Sequence, residues 1–370
     1  MRQVCAVLVA VGLAAGTVAA QQAGTSGYTV PRLADGHPDL QGVWANNGIT
    51  PMTRPTQWKD KGPYLTPTEV EELKQILAKF VDQGGDAIFG NVVQLALNAR
   101  DTGKFNQTSY DPTTGNYNQF WMADREIDNR TSLIVDPPDG QFPPLTPEGE
   151  ARRALGRRTV VVEGSESGPR GPADGPEDRP LSERCISYGV PRLQANYNSY
   201  FQIVQSPETV TVYQEMIHDA RMVNMSGAPH LPATVRQLHG DPRGRWEGDT
   251  LVVESTNFIN GFQGSTPDVK ITERFTRVEA DHLNWQVTVD DPKTWTRPWT
   301  FMIRLRLTDD RDLRVRLPRG QSLDDWHPRG CTRRRSARGG RSKKGGRAQT
   351  SREEVAHNDG RVGLVSSSVG

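Results

Sequence analysis

Residues 241–258, DPRGRWEGDTLVVESTNF, decide the fold class of this chain. The DPRG sequence at 241–244 is typical of a turn, because proline presets φ and glycine accepts the left-handed region. The run TLVV at 250–253 is apolar and β-branched, which predicts a strand. Similar runs, separated by turn residues, continue almost to residue 307, so this half of the chain is predicted to be an antiparallel meander.

Alternation of apolar and polar residues supports the same prediction from residue 197 to residue 307. Strands of this kind bury one face and leave the other in water. Four apolar residues are predicted to be buried against each other: Phe201, Val287, Ile303 and Leu305. With a further strand near Trp44, the strand count is that of a small closed barrel that encloses one ligand.

Two short helices are predicted before the meander. The first begins with a capping box, in which Thr66 caps, Pro67 takes the first helical position and Glu69 returns a hydrogen bond. The second begins at the TPE sequence of residues 146–148. Residues 165–180 are rich in glycine, proline and charge and are predicted to form a loop.

The N-terminus has the features of a secretory signal. Arg2 provides a basic start, residues 4–11 are apolar, and VAA at 18–20 is a small-residue cleavage site. The apolar run is too short to span a bilayer, and no later stretch is long enough. We therefore predict an exported protein, periplasmic or extracellular, with no membrane span.

Charge is divided unevenly along the chain. Residues 311–370 hold 15 Lys+Arg against 6 Asp+Glu, a net charge of +9, which leaves −8 on residues 1–310. Charge and composition together predict four regions: a signal peptide at 1–20, an N-terminal elaboration with the first strand and the helices at 21–190, the meander at 191–310 and a basic tail at 311–370. A tail so poor in apolar residues is predicted to be disordered.

Several long motifs resemble those of a family of exported bacterial proteins of unknown function. They are DGHPDLQGVW, RTSLIVDPPDG, GPEDRPLSERC, EMIHDAR, PHLP, GRWEGDTLVVESTNF, ERFTRVEAD and DDPKTWTRPWT. The resemblance covers about residues 35–307 and implies secretion and a β-rich fold, but no catalytic residues. The GVW sequence ending at Trp44 is also similar to the lipocalin signature, in which tryptophan closes one end of a barrel; a buried tryptophan at the start of a strand is the alternative.

The resemblance ends near Thr308. Family members continue with a sequence similar to YEYACHEGN, whereas this chain reads DLRVRLPRGQSLDDWHPRGCTRR from Asp312. A shift of the reading frame by one base over residues 312–333 permits IYEYACHEGNHSMTGILAGAR, which indicates a frameshift; a genuine basic tail is the alternative. On the frameshift interpretation no nucleic-acid partner is expected. A final strand and a cysteine partner for Cys185 would then be missing, which leaves a sheet edge open.

Three polar residues interrupt the apolar stripes of the meander: Gln214, His218 and Glu273. An unpaired buried polar group costs about 1–3 kcal/mol, so these residues either satisfy one another or face a ligand. His218 and Glu273 are candidates for a general acid–base pair, since burial raises the pKa of a carboxyl. The predicted ligand-binding set is Gln214, His218, Glu273, Trp44 and Trp285.

Other reactive residue types carry weaker signals. The spacing of His218, His230 and His239 matches no standard metal site, and no metal is predicted. A glycine-rich phosphate loop and a G-x-S-x-G elbow are both missing from the sequence, so no cofactor is predicted. In an exported protein Cys185 is better explained as a half-cystine than as a nucleophile.

Three functional hypotheses remain open from the sequence. The first is a carrier that binds a small apolar or amphipathic molecule inside the barrel. The second is an enzyme of the hydrolase or lyase type that uses the same cavity. The third is a cell-envelope interaction module, indicated by the aromatic residues within 110–121. The sequence predicts no oligomeric state.

Overall fold

The computed structural model describes residues 27–82, 92–104, 125–156, 181–182, 184–193 and 198–308. The predicted signal peptide, the aromatic stretch 110–121, the loop 165–180 and the basic tail lie outside these residues. Among the described residues, no helix combines the length and the apolar character needed to cross a membrane.

In the described part of the chain, nine strands close into a β-barrel, and a tenth short strand extends the same sheet. The strands are β1 (Gly42–Ala45), β2 (Ile134–Asp136), β3 (Tyr200–Gln205), β4 (Thr209–Gln214), β5 (Asp219–Asn224), β6 (Asp241–Glu247), β7 (Thr250–Thr256), β8 (Lys270–Arg277), β9 (His282–Asp290) and β10 (Trp299–Thr308). Each of β3 to β9 pairs with the next strand in chain order, and β1 closes the ring between β3 and β10. Strand β2 pairs with the start of β10. The prediction of a mainly β fold with a closed barrel is confirmed.

Three α-helices lie in the described part of the chain: α1 (Pro67–Asp82), α2 (Val92–Thr102) and α3 (Pro147–Gly156). The predicted capping box of α1 is formed, because the Thr66 backbone N–H donates to Glu69 Oε2 at 2.7 Å and the Glu69 N–H donates to Thr66 Oγ1 at 3.3 Å. Helices α1 and α2 form a second hydrophobic core with Trp58 and Leu65, separate from that of the barrel.

The DPRG sequence is not a turn. It lies in β6, and the hairpin to β7 turns at Gly248 and Asp249, between the paired residues Glu247 and Thr250. Gly248 has a φ of 59°, which glycine adopts without strain. Proline is tolerated near the start of β6 because the strand on that side, β5, pairs with β6 at one position only.

The predicted meander is antiparallel at every pairing except one. Strands β5 and β6 are parallel and share a single bridge, between Asn224 and Arg243. The chain from 225 to 240 connects them, so the barrel wall has a weakly paired seam beside the rest of β5. We refer to this place as the β5–β6 seam.

The barrel interior is filled by one continuous cluster of buried apolar side chains. The predicted core residues Phe201, Val287, Ile303 and Leu305 all belong to it, with at most 3% of their surface exposed. Trp44 is fully buried; its indole nitrogen donates to the Leu40 carbonyl at 2.9 Å, and the Arg277 guanidinium lies over its ring at 5.5 Å.

Two consequences expected from the frameshift interpretation are wrong. The sheet has no open edge at β10, because Val43 to Ala45 of β1 pair with Arg306 to Thr308 and close the barrel. Cys185 is disulfide-bonded rather than unpaired, as expected for a half-cystine.

Candidate functional site

Glu273 lies in the interior of the barrel and is completely buried. It projects inward from β8, and Arg221 reaches it from β5 across the interior with both guanidinium nitrogens, the Nη2–Oε1 distance being 2.9 Å. The Trp285 indole N–H donates to the same Oε1 at 3.0 Å. The carboxylate therefore accepts three hydrogen bonds, with both of its oxygens engaged. We refer to Arg221, Glu273 and Trp285 as the interior cluster.

The predicted pair of His218 and Glu273 is not formed. Strand β4 ends at Gln214, and His218 lies in a 3₁₀ turn, Met216–His218, with its side chain exposed. Ile217 and His218 have φ values of 65° and 57°, so the extended backbone is interrupted and the alternation of β4 does not continue to His218. With its carboxylate held by Arg221 and Trp285, Glu273 is not placed to act as a general base.

Gln214 is buried as predicted, with 3% of its surface exposed, at the inward-facing end of β4. Its neighbours in register are Phe201 on β3 and Asp219 on β5. The side-chain oxygen and nitrogen of Gln214 are not among the buried polar atoms that lack a hydrogen-bond partner in the described part of the chain.

Asp219 lies beside Gln214 at the β5–β6 seam and is hydrogen-bonded to a serine and a histidine. The Ser187 hydroxyl donates to Asp219 Oδ2 at 2.7 Å, and His239 Nε2 lies 3.0 Å from the same oxygen. Burial raises the pKa of Asp219, but the hydrogen bonds from His239 and Ser187 outweigh it, so the pKa lies below its ordinary value. Asp219 is therefore a carboxylate near neutral pH.

The arrangement of Ser187, Asp219 and His239 differs from that of a serine nucleophile. In a catalytic triad the serine and the carboxylate contact different nitrogens of the imidazole, whereas here both contact Nε2. Ser187 is also fully buried and accepts the Gly189 N–H at 2.9 Å. What remains is a dyad in which Asp219 orients His239, whose side chain is 16% exposed.

Two further charged residues lie near this dyad, the buried Arg192 and the half-buried Glu215. Burial lowers the pKa of Arg192 to about 10, against the opposing effect of Tyr188, Glu215 and Asp219. Burial raises the pKa of Glu215, although the Tyr200 N–H and Arg192 oppose the shift. We refer to the six residues gathered here as the seam cluster: Ser187, Arg192, Gln214, Glu215, Asp219 and His239.

Sequence reasoning found Gln214 and Glu273 but missed most of their surroundings. Asp219 and Arg221 occupy inward positions of β5, and both belong to the EMIHDAR motif. The only signal for them is that Asp219 and Arg221 are two positions apart, as residues on one face of a strand are. The sequence does not show that a strand begins at Asp219, so this signal could not be used. Ser187 and His239 lie outside the regular elements and gave no periodic signal.

The two predicted tryptophans are parts of the packed interior. Trp285 stacks on Phe275 with ring centroids 5.7 Å apart, and Phe201 meets its edge at 5.4 Å. Two small cavities, of about 10 and 40 Å³, are lined by residues of the helical layer, including Trp58 and Leu73. Neither lies inside the barrel.

Glu279, Asp281 and His282 offer three donor atoms within 4.8 Å of one another. Arg304 Nη2 donates to Glu279 Oε2 at 2.8 Å, and the imidazole is hydrogen-bonded to Asp281. The carboxylates of Glu279 and Asp281 are therefore already paired with Arg304 and His282. We interpret the group as an ion-pair network rather than as a metal centre.

No protein-family model, curated protein or solved structure matches this chain. The resemblance to exported bacterial proteins and to lipocalins therefore stays a prediction, and the proposals below rest on the geometry.

Proposed function

We propose that this chain is an exported binding protein that holds a small amphipathic molecule at the seam cluster. The observation that carries the proposal is the position of Gln214, a buried amide between Phe201 and Asp219 beside the weakly paired β5–β6 seam. Buried polar groups of native proteins are hydrogen-bonded to protein or to ordered water, so a polar group of a ligand can take the place of water at this amide.

The surroundings of Gln214 support a ligand of mixed polarity. Phe201 offers an apolar surface on one side of it, and the Asp219 carboxylate lies on the other. A polar head group would hydrogen-bond the amide while an apolar portion contacts the aromatic ring. A bulky apolar ligand in the centre of the barrel fits less well, because aromatic side chains such as Phe275, Trp285 and Phe301 occupy that space.

Native mass spectrometry of the full-length protein tests the proposal. The wild type should retain a bound small molecule, and Gln214→Leu should lose it, because leucine has a similar size but no hydrogen-bonding group. Gln286→Leu is the matched control, since Gln286 lies on β9 at a partly exposed, outward-facing position. Retention by Gln214→Leu, or a bare wild-type protein, would count against the proposal.

Titration with the amphipathic dye 8-anilinonaphthalene-1-sulfonate provides a second measurement. Removal of one hydrogen bond to a polar ligand group weakens binding by about tenfold. We expect that change for Gln214→Leu and none for Gln286→Leu, with both variants folded. Equal dye affinity in the wild type and both variants would show that the dye binds away from Gln214. That result would contradict the proposed site.

The enzyme hypothesis has one observation in its favour, the dyad of Asp219 and His239. A carboxylate that fixes one imidazole nitrogen prepares the other to take or give a proton. Hydrolysis of p-nitrophenyl acetate tests it: His239→Gln should abolish turnover, and His218→Gln, at an exposed histidine, should not. Turnover unaffected by His239→Gln would exclude this dyad as the base.

The interaction-module hypothesis rests on residues 110–121, outside the described part, and stays a prediction.

A further inference from the structure

His282, at the start of β9, is surrounded by carboxylates on both sides of its ring. Nε2 lies 2.9 Å from Glu126 Oε1, and Nδ1 lies 2.9 Å from Asp281 Oδ1. Glu279 Oε2 is 3.2 Å from the same Nδ1. The side chain is only 11% exposed, so water does not replace these partners freely.

This geometry favours a doubly protonated imidazole. Neutral histidine carries one N–H, and its second nitrogen presents a lone pair. With carboxylate oxygens at hydrogen-bond distance from both nitrogens, the neutral ring would direct a lone pair at a carboxylate. The imidazolium donates on both sides and is attracted by the surrounding acids.

The contact joins two regions that are far apart in sequence. Glu126 belongs to the segment before the barrel hairpins, where its N–H donates to the Asn47 carbonyl at 2.8 Å and its carbonyl accepts the Ile49 N–H at 3.2 Å. His282 belongs to the hairpin of β8 and β9. The His282 side chain therefore connects residues 125–130 to this hairpin.

We propose that His282 is a pH-dependent latch, which holds the segment around Glu126 against the β8–β9 hairpin while the imidazole is charged and loosens it when the proton leaves. This inference is independent of the ligand site proposed above. It assigns to the fold a response to rising pH that does not involve the seam cluster.

The charged groups that face His282 come from three elements. Glu126 lies on the early segment, Glu279 and Asp281 on the turn between β8 and β9, and Arg304 and Arg306 on β10. The hydrogen bond to Glu126 raises the pKa of His282, while burial and Arg304 oppose it; the result lies above the ordinary value of 6.5. The same hydrogen bond lowers the pKa of Glu126 below 4.5.

These directions define the pH range of the latch. Because the pKa of His282 is raised on folding, its contribution is complete below about 6.5 and is lost as the pH rises through the folded value. Because the pKa of Glu126 is lowered, its contribution is present above 4.5 and is lost as the pH falls through the folded value. The latch is therefore closed between about pH 4.5 and pH 6.5, and it opens as the pH rises through the folded pKa of His282.

NMR titration of the histidine rings in the full-length protein tests the proposal, with the His282 signals assigned by their loss in His282→Gln. We expect a midpoint above 6.5 and a lower midpoint in Glu126→Gln, which keeps the size of the side chain but removes its charge. A midpoint at or below 6.5, or one unchanged in Glu126→Gln, would overturn the latch.

Hydrogen exchange reports the movement itself. After correction for the intrinsic pH dependence, the amides of Ile49 and Glu126 should exchange faster above the His282 midpoint than below it. In His282→Gln the fast exchange should be present at both pH values, and His218→Gln should behave as the wild type. Exchange at these two amides that is independent of pH in the wild type would contradict the proposal.

Discussion

Glu273 and Asp219 are buried carboxylates of the same barrel, but their surroundings differ in kind. Glu273 is fully enclosed, and its partners Arg221 and Trp285 come from opposite walls of the interior. Asp219 lies at the β5–β6 seam, and one of its partners, His239, is partly exposed. A hydrogen-bonded carboxylate in a closed interior has no access to a ligand, whereas the dyad at the seam is partly accessible. The two places therefore differ in whether a molecule from solution can reach the buried carboxylate.

The largest effect is expected from breaking the interior cluster. Glu273→Ala or Arg221→Ala leaves one buried charge without a partner and should lower the free energy of unfolding by about 3–5 kcal/mol. Urea unfolding of the full-length protein measures the change. The double variant Arg221→Met/Glu273→Leu removes both charges and should be more stable than either single variant. If the double variant lost as much free energy of unfolding as the two single variants added together, Arg221 and Glu273 would not stabilise the fold as a pair.

A smaller effect is expected at the seam. Asp219→Asn keeps the shape of the side chain but weakens its hydrogen bonds to Ser187 and His239, at a cost of about 1–3 kcal/mol near neutral pH. Because the pKa of Asp219 is lowered on folding, this difference from the wild type should be complete above 3.8 and shrink as the pH falls further. Unfolding curves at several acidic pH values would reveal it. A difference independent of pH would show that the charge of Asp219 does not contribute.

The smallest effect on stability is expected at Gln214. Gln214→Leu replaces an amide by an apolar side chain of similar size beside the apolar core, so stability should stay within about 1 kcal/mol of the wild type or rise. Thermal unfolding without added ligand is the measurement, with Gln286→Leu as the control. A loss comparable to that of Glu273→Ala would show that Gln214 is structural and would remove the basis of the proposed binding site.

Local pattern predicted the elements well where it was sustained. The alternation of β9 and β10 identified Val287, Ile303 and Leu305 as core residues, because side chains of a strand face opposite sides in turn. The capping box at Thr66 identified the start of α1. Helix α2 was not predicted, although its buried Val93, Ala96 and Leu97 have helical spacing, because it lacks a clear capping signal.

The errors arose where a local pattern has two meanings. Alternation of apolar and polar residues does not indicate where a strand stops. It places His218 on the same face as Gln214, whereas the structure has a turn with positive φ between them. The DPRG sequence favours a turn in isolation, but pairing with β7 holds it in a strand. Neighbouring strands outweighed the propensity of four residues.

The sequence by itself determined the β class, the positions of most strands and the residues that face the core, because these follow from local geometry with a period of two residues. Only the tertiary structure decided the parallel pairing of β5 with β6, the closure of β1 on β10 and the partners of the buried charges. Arg221 and Glu273 are 52 residues apart and meet across the barrel. Their contact depends on strand order and register, which no local pattern encodes.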